Sequence, residues 1–451
     1  MKRLFSTIIT ASVLSCSLLN PIAYAAENIY TPDYKIADRI SINSNSAKPV
    51  ANPVISRGVP AYSAKGDAKS GNDVHYFSFW NSATPDYLAY DLSGVPKEQK
   101  KQVIAVWYNT SAFDSIGNYA NRNMEPSDYT IEVNAADGGE YPESGWIVAE
   151  TVTDNTLSSR QHVVSMEGYN WIRINITKAD GEEGRNASIN FDIHNVSDGI
   201  FDSWLFLGDS ITACGMNNCY GTGFATHVNE LDSKYFPIQE NGGIGGITST
   251  DGKNNIDRWL KTCNANFVSI AYGTNDAWGN PSGVEKYYEN TKYMIDAVLE
   301  AGKIPVLPKI PYASEKAVLE NLGKYNEVIE KLWQEYDGKI VKGPDLYEFL
   351  EKNPDHLSGD GVHPSDTGYA AIRKLWAETM YERVYTAKIS EAVIGDINSD
   401  GVFDISDAVT LQKWLLSDDN EKINNWQAGD LCKDNLLDIA DLSAMKNALI
   451  K

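Results

Sequence analysis

The chain contains six histidines, so the search for a base able to activate a hydroxyl is short. His363 stands in "SGDGVHPSD", three residues after Asp360. On a loop or a first helical turn, a carboxylate at that spacing reaches the imidazole Nδ1, fixes its tautomer and stabilises the imidazolium. His356 directly follows Asp355, and adjacent side chains diverge. His227 lies in a helical pattern with no evident acidic partner, and His75, His162 and His194 fall in a strand-rich region. A hydroxyl is a weak nucleophile unless such a base is in hydrogen-bond reach. The candidate hydroxyl is Ser210 in "WLFLGDSITACG", where an apolar run stops at Gly-Asp-Ser. Acyl transfer also needs donors for an oxyanion. "ENGGIGGITSTDG" (240–252) offers backbone amides beside glycines, and Asn275 in "YGTND" offers a side-chain amide. Singly, Gly-Asp-Ser is a common turn and Asn-Asp a common cap; the set as a whole points to serine-dependent acyl transfer.

A second constellation consists of hard oxygens. "DINSDGVFDISD" places Asp396, Asn398, Asp400, Asp404 and Asp407 at positions 1, 3, 5, 9 and 12 of a calcium loop, with Gly401 at the sharp turn and the Val402 carbonyl as a further ligand. The stretch is echoed downstream: "GDINSDGVFDISDAVTLQKWLL" (395–416) against "GDLCKDNLLDIADLSAMKNALI" (429–450). The second copy places Asp430, Asp434, Asp438 and Asp441 at positions 1, 5, 9 and 12, with the Leu436 carbonyl matching Val402. Cys432 replaces an oxygen ligand there and Asn435 replaces the glycine, so weaker calcium binding is expected at the second loop.

The elements that must position these residues change character near residue 200. Upstream, "QVIAVWYN" (102–109), "DYTIEVN" (128–134), "NWIRINIT" (170–177) and "ASINFDIHNV" (187–196) read as strands separated by Gly, Asn, Asp and Pro clusters. In the last, Ile189, Phe191 and Ile193 alternate with Asn190, Asp192 and His194, a period of two that predicts one buried face. An all-β sandwich of jelly-roll type is expected. Downstream, "SWLFLGDS", "NFVSIAYGTND", "KIPVLPKIPYA" and "GKIVKGPDLY" alternate with amphipathic stretches at 283–302 and 317–337. Apolar strands separated by helices predict an α/β fold with a covered parallel sheet, whose ligands bind beyond the strands' carboxyl ends. Ser210 and Asn275 both fall at such ends.

"FLGDSIT", the glycine-rich loop, "GTND" and "DGVHP" together resemble the SGNH, or GDSL, hydrolase superfamily over about 200–385. The resemblance implies a flavodoxin-like three-layer α/β/α fold and a serine esterase without a catalytic cofactor. Ser210 would be the nucleophile, His363 the base and Asp360 its orienting carboxylate. The oxyanion hole would use the Ser210 and Gly246 amides and the Asn275 side chain. The Gly-x-Ser-x-Gly elbow of ordinary α/β-hydrolases is absent, since position 212 is Thr. The C-terminal copies, over 393–451, resemble a type I dockerin. That resemblance implies structural Ca2+ and a cohesin module of a cellulosome scaffoldin as partner. Ile405 and Ser406, and Ile439 and Ala440, occupy the positions that select the cohesin.

Composition bounds the partners. The chain has 451 residues, enough for two or three domains, and a net charge of −22, which makes it a poor nucleic-acid ligand. Lys2, Arg3, an apolar run to Leu19 and "AYAA" at 23–26 read as a signal peptide cleaved after Ala25. No later stretch is long and apolar enough to span a bilayer. Cys214 and Cys219 flank a short loop and could pair. The expected organisation is a signal peptide (1–25), a β-sandwich (26–198), an SGNH domain (199–387) and a dockerin (393–451). The expected function is a secreted, cellulosome-bound carbohydrate esterase acting on acetylated plant polysaccharide, xylan first, with neither membrane nor nucleic acid as partner. The alternatives are acetylated mannan, pectin or feruloyl esters, a lipase, and a carbohydrate-binding protein with an inactive hydrolase domain. Trp80, Trp107, Trp146 and Trp171 could stack on sugar rings or be core.

Overall fold

A computed structural model of the chain describes residues 49–71, 79–111, 123–218, 221–386, 393–398, 400, 402–416, 423, 426–432 and 437–450. The signal-peptide reading lies outside the described residues. The chain divides into two compact units, one falling within 48–387 and the other holding the C-terminal residues from 393.

The larger unit begins with two antiparallel sheets. Strands β1 (Ala61–Tyr62), β3 (Asp86–Asp91), β8 (Trp171–Ala179), β5 (Pro126–Asn134) and β6 (Ile147–Val152) form one, in that order. Strands β2 (Phe79–Ala83), β9 (Asn186–Asn195), β4 (Gln102–Asn109) and β7 (Ser159–Ser165) form the other. Leu88, Val103, Ala105, Ile131, Ile174, Ile189 and Phe191 pack in one apolar core contributed by both sheets. Trp80, Trp107 and Trp171 are fully buried, so these indoles are core and not sugar platforms. Trp146 is half-buried, with the Arg173 guanidinium 4.1 Å over its ring.

Strand β9 departs from its period-two expectation. Ile189, Phe191 and Ile193 are buried, but so are Asn190, Asp192 and His194. The polar face is covered: the His194 ring lies 6.2 Å from Phe236, and its Nδ1 bonds the Asn52 carbonyl at 3.0 Å. Alternation reports one covered face and is silent about a second face covered by another part of the same unit.

The α/β part holds helices α1 (Ser210–Gly215), α2 (Phe224–Leu231), α3 (Ser249–Leu260), α4 (Thr274–Ala277), α5 (Val284–Glu300), α6 (Lys316–Glu335), α7 (Leu346–Lys352) and α8 (Asp366–Met380). Its sheet is parallel, with β11 (Ile238–Gly243), β10 (Ser203–Gly208), β12 (Phe267–Ala271), β13 (Ile304–Leu307) and β14 (Val341–Lys342) in that spatial order. Counted in chain order this is 2-1-3-4-5, the flavodoxin-like doubly wound arrangement. Every residue of β10 is buried, as a strand covered on both faces requires. Helices α5 and α6 lay stripes against the core, Met294, Ile295 and Val298 from one and Val318, Leu322 and Ile329 from the other.

The sandwich and the α/β part share buried polar contacts. Ser159 Oγ donates to Glu240 at 2.7 Å, Gln161 Nε2 to Ser203 Oγ at 3.1 Å, and Asn217 Nδ2 to the Thr110 carbonyl at 2.8 Å. The C-terminal unit holds α9 (Ile405–Leu415), α10 (Trp426–Gly429) and α11 (Ile439–Leu449) around Ile397, Leu411, Trp414, Leu437, Leu442 and Met445. The sequence repeat is also a repeat of capping: Asp404 with Asp407 boxes the start of α9, and Asp438 with Asp441 the start of α11.

Candidate active site

Ser210 is the first residue of α1, directly beyond β10. Asp209 is the N-cap, and its carboxylate accepts from the Ile211 amide at 2.9 Å. The first N–H groups of a helix have no intrahelical acceptor, so the Ser210 amide is among those directed out of the helix start. Ser210 Oγ lies 2.8 Å from His363 Nε2, and His363 Nδ1 lies 2.6 Å from Asp360 Oδ2. The other oxygen, Asp360 Oδ1, accepts from Ser358 Oγ at 2.8 Å and from the amides of Val362 at 2.8 Å and His363 at 2.9 Å. Burial pushes this carboxyl up, but the His363 side chain, the two amides and the Ser358 hydroxyl outweigh it and hold Asp360 well below the usual carboxylate range. An ionised Asp360 takes the Nδ1 proton's hydrogen bond and leaves Nε2 to accept from the serine hydroxyl.

The donor side forms on the neighbouring strands. Gly208 pairs across to Gly243 on β11 and to Ala271 on β12. Ser210, Gly246 and Asn275 therefore follow the carboxyl ends of three adjacent strands, at the switch point where such sheets bind ligands. Gly246 is exposed with φ of 76°, a conformation that favours glycine. Asn275 Nδ2 donates to the Ile247 carbonyl at 2.9 Å, and the amide has two N–H groups, so one secures the glycine-rich loop and the other remains. Gly243 has no room for a side chain, since a Cβ would lie 2.3 Å from the Ala213 amide of α1.

Three further residues hold this arrangement, and sequence reasoning gave none of them a role. Asn241 accepts from Gly243 N at 3.0 Å and donates to the Ala213 carbonyl at 2.9 Å, joining the glycine-rich strand to the serine helix. Asp276 accepts from the Ser249 amide and hydroxyl, joining the loop after Gly246 to the helix of Asn275. Asp209 is the cap; a carboxylic residue just before a helix start was the available signal. Burial pushes Asp209 up to about 7 and also raises Asp276. His227, read from the sequence as lacking an acidic partner, has one: Glu230 Oε2 at 2.8 Å from Nδ1. The partner lies one helical turn after the histidine, not before it.

The C-terminal loops supply oxygens of the type calcium prefers. In the first loop Asp396 Oδ1 and Asn398 Oδ1 both approach the Asp400 amide, at 3.1 and 2.9 Å. Asp407 is buried; Oδ1 accepts from Ile397 and Asn398 amides, and Oδ2 from Asp404. In the second loop Asp441 Oδ1 accepts from the Cys432 amide at 3.0 Å. Asp434 and Leu436 lie outside the described residues, as does Cys219, the expected disulfide partner of Cys214. Among the described residues, no group of three or more His, Cys, Asp or Glu stands in metal-holding geometry.

A serine, histidine and carboxylate in hydrogen-bonded line, beside amide groups at adjacent strand ends, is the arrangement that acyl transfer to a serine requires. Residues 206–371 match the GDSL-like Lipase/Acylhydrolase family. A multidomain esterase of Ruminococcus flavefaciens is 25% identical over 213 residues, which are 43% of this chain and 27% of that protein. The chain thus spans about a quarter of that relative's length. An acetylxylan esterase of Geobacillus stearothermophilus is 27% identical over 196 residues, 38% of this chain and 90% of that protein. Among solved structures, a catalytic mutant of an acetylxylan esterase from Geobacillus stearothermophilus is 22% identical, with a TM-score of 0.34, covering 41% of this chain and 94% of that one.

Proposed function

We propose that the protein is a serine carbohydrate esterase that removes acetyl groups from plant cell-wall polysaccharide, acetylated xylan first. The observation that carries the catalytic part is the Ser210–His363–Asp360 line, at 2.8 and 2.6 Å. Ser210 Oγ attacks the ester carbonyl as His363 Nε2 takes its proton. Asp360 stabilises the imidazolium without itself taking the proton. The Ser210 and Gly246 amides and the Asn275 side chain hold the tetrahedral oxyanion. His363 then gives its proton to the leaving sugar oxygen as the ester C–O bond breaks, freeing the sugar hydroxyl. Water, deprotonated by the same imidazole, clears the acetyl-enzyme and releases acetate.

The substrate reading is supported by the relative named as an acetylxylan esterase, and the esterase reading by both relatives. Acetylated mannan, pectin and feruloyl esters are the other substrates to weigh. The C-terminal unit is proposed as a dockerin that holds the enzyme on a cohesin. Its support is the duplicated capping pattern and the exposure of Ile405 and Ile439 at equivalent positions. Asp396, Asn398, Asp400, the Val402 carbonyl, Asp404 and Asp407 would hold one calcium ion. Asp430, Asp434, the Leu436 carbonyl, Asp438 and Asp441 would hold a second. The ions would fix the loops and take no part in ester hydrolysis. Secretion is part of the same proposal; no helix among the described residues is long and apolar enough to cross a membrane. The test is acetate released by the purified protein from acetylated xylan, acetylated glucomannan and acetylated pectin in parallel. Fastest release from xylan is the expected result; release from none of them would overturn the substrate reading.

A further inference from the structure

The chain has eleven tryptophans, and Trp278 is the one exposed among them, at 49%. Tryptophan is costly to leave in water because of its large apolar face. A lone exposed apolar residue needs no special account, but the position of this one does. Trp278 is the C-cap of α4, three residues after Asn275. Its backbone is already extended, with ψ of 105°, so Trp278 stands on the short segment that leaves the carboxyl end of β12 and carries Asn275.

The backbone around it leads directly to the catalytic histidine loop. The Gly279 amide, next to Trp278, donates to the Ala317 carbonyl at 2.8 Å, and Asn321 Nδ2 donates to Ala277 O at 2.8 Å. Both join the end of α4 to the start of α6. Just before α6, the Ser314 and Glu315 amides donate to the Gly361 carbonyl at 2.7 and 3.1 Å. Gly361 lies between Asp360 and His363. A hydrogen-bonded path therefore runs from the end of α4, along residues 317 to 314, to the loop that carries the general base.

We propose that Trp278 is a specificity-determining residue, a platform on which the pyranose ring of the ester-bearing sugar stacks while its acetyl group enters the Ser210 site. A pyranose presents a face of axial C–H groups, apolar and slightly positive, which suits the negative face of an indole. This inference rests on the carbohydrate-esterase reading above.

The experiment compares wild type, Trp278→Ala and Trp278→Phe on acetylated xylo-oligosaccharide and on 4-nitrophenyl acetate, which has no sugar ring. Aromatic stacking is worth roughly a factor of three to ten in affinity. Trp278→Ala should raise KM for the oligosaccharide about tenfold, and its kcat/KM relative to that for the aryl ester should fall by a similar factor. Trp278→Phe should recover most of the loss. An equal fall on both substrates, or an unchanged oligosaccharide KM, would overturn the platform while leaving the esterase reading intact. A wild type that cleaves the aryl acetate but no sugar ester would overturn the substrate reading, and the platform with it.

Discussion

The Asp276 carboxylate receives both the backbone amide and the hydroxyl of Ser249, at 2.9 and 2.5 Å. The bond joins two segments that each carry one proposed oxyanion donor. Ser249 opens the helix after Gly246, and Asp276 follows Asn275. Asn290 Nδ2 donates to the same Ser249 hydroxyl at 3.0 Å.

In the proposed mechanism Asp276 acts as a positioning residue for both donors. Asp276→Ala should lower kcat on an aryl acetate by about tenfold, with a smaller effect on KM. Asn275→Ala, which removes a donor outright, should cost about 10²–10³. Steady-state kinetics on both variants checks the order. If Asp276→Ala cost only stability and left kcat alone, the link between the segments would have no part in catalysis.

Three buried carboxyls give a pH dependence to stability. Burial pushes Asp202, Asp209 and Glu240 each up to about 7. A carboxyl whose folded pKa is raised binds more protons folded than unfolded, between its unfolded value near 4 and its folded value. Stability therefore falls as pH rises across that window, and stays low above 7. Glu240→Gln should flatten part of this slope and raise Tm at pH 8, with at most about 3 kcal/mol at stake. Thermal unfolding of both proteins from pH 5 to pH 8 makes the check; parallel curves would contradict it.

The sandwich braces the serine helix. Tyr108, on β4, accepts from the Asn218 amide at 3.0 Å, and Thr110 accepts from Asn217, two and three residues beyond the end of α1. Tyr108→Phe leaves a buried N–H without its acceptor and should cost about 1–3 kcal/mol. A chain starting at residue 199 should lose activity with solubility, since it uncovers Ser203 and Glu240. Activity of that fragment equal to the whole would show the sandwich to be dispensable.

Calcium should act only on the C-terminal unit. EDTA, or Asp407→Ala, should lower the unfolding temperature of that unit and leave aryl acetate turnover unchanged. Differential scanning calorimetry beside a kinetic assay reads both. Loss of turnover on chelation would contradict the division of labour.

The Asp360–His363 pair, which the fold hydrogen-bonds to Ser210, was legible because its spacing is local and histidine is rare. Asp360 and His363 stand three positions apart, and six histidines left few rivals. The parallel sheet was legible because apolar runs such as Trp204–Leu207 of β10 alternate with helical stretches. Residues whose work is done across the fold were not legible. Asn241 and Asp276 bond segments that approach only after folding, and no periodicity marks that approach. The polar face of β9 is covered by the α/β part, and only the three-dimensional contact of His194 with Phe236 reveals it. The tryptophans divide the same way: type alone left Trp80, Trp107, Trp146 and Trp171 as sugar platforms or core, burial shows that Trp80, Trp107 and Trp171 are core and Trp146 is half-buried, and the sequence did not single out the exposed Trp278.

The most direct test of the central claim is the turnover of 4-nitrophenyl acetate by wild type and by Ser210→Ala at equal concentration, with far-UV circular dichroism showing both folded. The Ser210–His363–Asp360 line predicts a loss of about 10³-fold or more, since the acyl-enzyme cannot form without the serine oxygen. Retention of activity within tenfold of wild type would contradict it, and would place the nucleophile elsewhere in the chain.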